Sequence, residues 1–84
     1  AQWVARQFDR PEERRGLIQA IRLPAAPEEN LVLYPEALVP DVRYRFENPE
    51  TGETRELTGA VVQRNGFTVA LPRRAGAIWF YAAK

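Results

Sequence analysis

Short runs in which apolar and polar side chains alternate, each closed by Gly, Pro or Asn, leave this chain few ways to fold. In Val42-Arg43-Tyr44-Arg45-Phe46-Glu47, the side chains of Val42, Tyr44 and Phe46 share one face and Arg43, Arg45 and Glu47 the other. Gly66 to Leu71 repeats the pattern, with Phe67, Val69 and Leu71 inward, Thr68 and Ala70 outward, and Pro72 ending the strand. Less regular strands are expected at about Trp3 to Phe8, Gly16 to Leu23, Asn30 to Tyr34, Thr54 to Leu57 and Ala77 to Tyr81. Asn48-Pro49-Glu50-Thr51-Gly52 is a hairpin tip, where Pro presets one φ angle and Gly supplies a positive one. The segment Gly59 to Arg64 suits either a strand or a short helical turn.

About seven short strands in 84 residues predict an all-β fold, an antiparallel β-sandwich in which two sheets close over one core. The length allows a single domain, residues 1–84, and is too short for a barrel enzyme or a dinucleotide-binding fold. A chain that is 45% hydrophobic and 27% charged has ordinary globular composition. Its formal charge of +1 supplies no field that would steer a nucleic acid or an anionic membrane. With no Cys and no His, there is no disulfide, no thiolate or imidazole metal site, no cysteine nucleophile and no Ser-His-Asp triad. No cofactor or metal is expected. The longest apolar stretch, Gly76 to Ala83, falls far below the roughly 20 residues of a membrane-spanning helix. A start at Ala1 without Met, and without a signal-type segment, points to a chain processed or, preferably, cut from something longer, and the compartment stays open with the cytoplasm slightly favoured.

Three groups of side chains invite a functional role. The carboxylate pairs Glu12-Glu13, Glu28-Glu29 and Asp41 with Glu47 have the composition of a glycosidase pair. They lie in loops or on a wet strand face beside Arg, where a catalytic acid would not gain the raised pKa it needs, so they are expected to be surface charge. The arginines are dispersed among acids, Arg10 near Asp9 and Glu12, Arg43 and Arg45 near Glu47, and Arg55 between Glu53 and Glu56, so no basic stripe for RNA forms. The aromatics Trp3, Trp79 and Tyr81 are the candidates for an interface or a sugar-stacking platform. Around them the last strand is apolar on both faces, because Ala77, Trp79 and Tyr81 alternate with Ile78 and Phe80. Placing Ala77, Trp79 and Tyr81 outward predicts an exposed apolar patch and self-association of the isolated chain.

From Trp3 onward the chain resembles the C-terminal domain of bacterial α-galactosidases of the melibiase type. The resemblance rests on the order and spacing of many short pieces: Trp3 with Gln7-Phe8-Asp9, then Gly16-Leu17-Ile18-Gln19-Ala20, Arg22 and Pro24. Leu38, Pro40-Asp41, Tyr44-Arg45-Phe46, Thr51-Gly52-Glu53, Leu57-Thr58-Gly59 and Val62 continue it. Gly66, Thr68-Val69, Leu71-Pro72, Arg74 and Gly76-Ala77-Ile78 complete it. It departs from the usual family pattern at Ile21, Leu23, Val39, Val42 and Val61, each more apolar here. The resemblance implies a terminal sandwich beside a catalytic barrel that holds the nucleophile and the acid/base. Neither of those residues falls in this chain, so the implied role is a non-catalytic accessory domain that braces the barrel and helps the enzyme oligomerise. Two other roles fit the residues: a carbohydrate-binding module built on Trp3, Trp79 or Tyr81, and a domain excised or engineered to study folding or assembly.

Overall fold

A computed structural model describes residues 2–84 and shows two antiparallel sheets packed face to face. The strands are β1 (Trp3–Arg10), β2 (Arg15–Arg22), β3 (Asn30–Leu33), β4 (Arg43–Glu47), β5 (Thr54–Thr58), β6 (Phe67–Ala70) and β7 (Gly76–Ala83). A short 3-10 turn, Pro11–Glu13, joins β1 to β2, and one helix, α1 (Gly59–Asn65), follows β5. The larger sheet has the order β1-β2-β7-β4-β5, and β3 with β6 forms the smaller one. Each strand expected from the alternation is present, within two residues of its expected start.

The phase of β4 is as its alternation predicts: Tyr44 and Phe46 are buried, while Arg43, Arg45 and Glu47 are exposed. In β6, Phe67 and Val69 are buried and Thr68 and Ala70 exposed. These inward residues meet Ile18 and Ala20 of β2, Trp79 and Tyr81 of β7, Leu38 and Val62 in one core. Phe46 stacks on Phe67 at 4.5 Å between ring centroids, and the edge of Phe67 meets Trp79 at 5.2 Å, so aromatic pairs tie the two sheets together. Arg55 closes the open side of the sandwich. Its guanidinium lies 4.6 Å from the Phe67 ring centroid and 4.5 Å from that of Trp79, and it donates to the Thr68 carbonyl at 2.7 Å.

Of the two forms that Gly59 to Arg64 suits by sequence, the structure takes the helical one. Thr58 accepts a hydrogen bond from the Val61 N–H at 3.2 Å and so caps α1, whose buried Val62 enters the core. At the hairpin tip, the Asn48 side chain accepts from the N–H groups of Glu50 (2.9 Å) and Thr51 (3.2 Å), and Gly52 takes φ +79°.

Arg22 is a buried charge with no carboxylate among its hydrogen-bond partners. It donates instead to the carbonyls of Ala26 (2.7 and 3.2 Å), Leu71 (2.9 Å) and Pro27 (3.4 Å). One guanidinium thereby fixes the β2–β3 connection against the end of β6, satisfying carbonyls that no strand reaches. Its place in the resemblance is a structural one.

Candidate interaction surface

The outward placement of Ala77, Trp79 and Tyr81 is corrected by the structure: Ala77, opposite the buried Ala20, packs against the core with the other two. Trp79 is 3% exposed and Tyr81 2%, and both face the core. Pairing forces this phase: Ile18 stands opposite Trp79 and Phe46 opposite Tyr81, and paired residues share a face. Once Ile18 and Phe46 point inward, so must the two aromatics. Neither offers a ring face to a sugar or to a second chain. Trp3 is half-buried at the sheet edge and packs against the core.

Tyr81 is anchored by polar contacts rather than by packing alone. Its hydroxyl donates to Asp9 Oδ1 and accepts from Gln7 Nε2 at 2.8 Å. Gln7 also donates to the Glu36 carbonyl at 2.9 Å and accepts from the Glu36 N–H at 2.7 Å, which holds the β3–β4 loop against β1. Burial, reinforced by the hydrogen bond to Asp9, pushes the Tyr81 phenol above its usual range. An unfolded chain ionises this phenol near pH 10, and the folded chain does so only at higher pH. The stabilisation is therefore complete below about pH 10 and declines as pH rises above it. Urea melts from pH 9 upward should show this decline in the wild type and a flatter profile in Tyr81→Phe; equal slopes would contradict the anchoring role.

The outward set is the other half of the alternation. On the outer face of the larger sheet, Phe8, Leu17 and Phe80 stand side by side across β1, β2 and β7. Val4 pairs with Ile21, and Ile78 lies opposite Gln19. Phe8 is 56% exposed and Phe80 47%, with Val4, Ile21 and Ile78 also exposed. Of the five departures from the family pattern, Ile21 alone lies on this patch. Five arginines on the same face frame it: Arg6, Arg10, Arg15, Arg43 and Arg45. Arg10 and Arg15 share Glu13, at 3.3 and 2.7 Å. Lys84 donates to Glu56 at 2.9 Å and holds that carboxyl below its usual pKa. An open groove follows this face, with Phe8, Leu17 and Phe80 among its lining and Arg10, Arg15 and Arg45 along its side. Its chemistry is that of an apolar contact surface with a cationic rim.

The carboxylate pairs Glu12-Glu13, Glu28-Glu29 and Asp41 with Glu47 are all exposed, as expected of surface charge. Among the described residues, no three Asp or Glu side chains cluster as metal ligands would. Sequence reasoning passes over the outer patch, which only the strand register reveals.

Fold and surface together define an all-β sandwich domain with one apolar sheet face open. Among solved structures it is similar to the galactosidase domain of alpha-galactosidase-sucrose kinase, AgaSK, with a TM-score of 0.75 and 18% identity. That match covers 100% of this chain and 12% of the other. No family model and no curated protein matches the chain. The likeness is one of fold, and the fold is the one that the resemblance to the α-galactosidase terminal sandwich implies.

Proposed function

We propose that this chain is a non-catalytic accessory domain of an α-galactosidase-like glycoside hydrolase, and that its outer sheet face rests on the catalytic barrel of that enzyme. The observation that carries the reading is the open patch of Val4, Phe8, Ile21, Ile78 and Phe80 on a domain whose fold recurs within a galactosidase domain. A sheet buried on one side has an alternating outer face that is ordinarily polar, and here the centre of that face is apolar. Covering it removes exposed Phe, Ile and Val from water, while the arginine rim selects a partner surface carrying carboxylates.

The test uses the complete enzyme that carries this domain. Ile78→Asp and Phe80→Asp should lower the thermal stability of that enzyme and its α-galactosidase activity after heating, while circular dichroism of the isolated chain stays native. An enzyme indifferent to both substitutions would overturn the docking role. The isolated chain should release no galactose from an aryl α-galactoside, and measurable turnover would overturn the accessory role.

A further inference from the structure

Strand β1 ends the larger sheet on one side, and its backbone is half unpaired. The Leu23 N–H donates to the Gln2 carbonyl at 2.9 Å, whereas the Arg22 N–H donates to the Ala75 carbonyl at 2.9 Å. Odd residues of β2 therefore bond to β1 and even residues to β7. It follows that the even residues of β1 bond inward, and the N–H and carbonyl groups of Trp3, Ala5, Gln7 and Asp9 point to the open edge. Among the described residues, no other strand pairs with them. This edge is eight residues long and contains no Pro, and Ala5, exposed near its centre, leaves room for an added strand, although Arg6 and the inward Asp9 place charges along it.

A second observation lies on the same strand. Among the described residues, two buried side-chain atoms lack a hydrogen-bond partner: Trp3 Nε1, a donor, and Asp9 Oδ2, an acceptor. Asp9 gives its other oxygen to Tyr81, so Oδ2 remains free. Both residues are on the inner face of β1, at equal distances in sequence from Arg6.

We propose that β1 is a dimerisation edge, on which a second copy of this chain adds its own β1 antiparallel about a two-fold axis at Arg6. In that register Trp3 of each copy stands opposite Asp9 of the other, Val4 opposite Phe8, and Ala5 opposite Gln7. The outward N–H and carbonyl groups meet pair by pair, each facing pair exchanging two bonds. With the Trp3 ring turned towards the shared edge, each indole N–H donates to Oδ2 of the facing Asp9, whose Oδ1 keeps its bond from Tyr81, so each orphaned atom gains a partner. The self-matching of donor and acceptor about one residue makes the occupant a second copy rather than an arbitrary strand. The Val4 and Phe8 contacts also join the two outer apolar faces into one. Arg6 meets its own copy at the axis, an unfavourable contact that gives the interface a signature: added salt strengthens it.

Sedimentation across protein concentration, up to the millimolar range, tests this proposal. The wild type should form a dimer that tightens with salt and with Arg6→Thr. Ala5→Pro removes one outward N–H without touching the β1–β2 ladder, so it should leave the melting curve unchanged and abolish the dimer. Trp3→Phe should weaken dimerisation while keeping the aromatic body. A strictly monomeric wild type, or a dimer that survives Ala5→Pro, would overturn the proposal. Phe80→Ser separates it from outer-face docking: the edge dimer should persist in that variant, and its loss would place the contact on the outer face instead.

Discussion

Gly16→Ala is expected to be strongly destabilising, although the change adds one methyl group. Gly16 lies between Asp9 of β1 and Tyr81 of β7, on the inner side of the sheet. A Cβ built there runs into the Phe8 carbonyl and the Tyr81 hydroxyl, and stands 2.7 Å from Tyr81 Cζ. The missing side chain is what lets the Tyr81 ring lie across β2 and reach Asp9 and Gln7 on the edge strand. An added methyl must push back both a ladder carbonyl and a buried ring, an overpacking cost of about 3 kcal/mol. That is a large share of the roughly 5–10 kcal/mol that holds a domain of this size together. Shortening the ring in Gly16→Ala/Tyr81→Phe should recover only part of the loss, because the backbone contact remains. Thermal melts of the single and double variants measure this, and a midpoint for Gly16→Ala within a degree or two of wild type would show that β2 gives way freely.

The same cluster shows how far the sequence is legible. The phase of β4 can be read directly because its outer positions hold Arg43, Arg45 and Glu47, residues that burial would penalise. In β7 both alternating sets are apolar, so a period of two has two equally acceptable phases. What decides between them is the pairing of Ile18 with Trp79 and of Phe46 with Tyr81, a relation between strands distant in the chain. Had the phase of β4 been carried across that pair, it would have placed Tyr81 inward and exposed Phe80. For this reason the sequence shows Ile78 and Phe80 as apolar without showing that theirs is the outer face, the centre of the proposed docking surface.

Arg22 and Arg55 escape a sequence reading through a different effect. Both occupy inward positions of alternating strands, Arg22 in step with Ile18 and Ala20, and Arg55 opposite Phe46. Charge alone argues for solvent at such positions. Arg22 overrides it with carbonyl acceptors, and Arg55 with two aromatic faces, Thr68 and Glu53. A charged residue at an inward position was the available signal that local carbonyls or rings had to converge there. Helix α1 is not decided by its sequence, because Gly59 to Arg64 is shorter than two full helical turns and its periodicity carries little information. Its beginning is fixed by the Thr58 cap and by the Val39 backbone, against which only a residue without Cβ fits at Gly59.

Trp79 and Phe80, neighbours in sequence, should respond in opposite ways to removal. Trp79→Ala deletes a ring that is packed by Phe67, covered by the Arg55 guanidinium and paired with Ile18 in the centre of the larger sheet. A cavity of that size should cost about 3–5 kcal/mol, half or more of the stability of a domain this small. Arg55 would lose one of its two aromatic supports, so part of the loss should appear as non-additivity in a Trp79→Ala/Arg55→Ala cycle. Phe80→Ser acts on a ring half in water, and in the isolated chain it should change stability by no more than about 0.5 kcal/mol. Its effect should instead emerge in the complete enzyme, where the same side chain is proposed to be covered. Denaturant titration of the two single variants resolves the register of β7. Comparable losses from both would mean that neither face is free, whereas a larger loss from Phe80→Ser would restore Trp79 to the outer face and remove the docking surface proposed here.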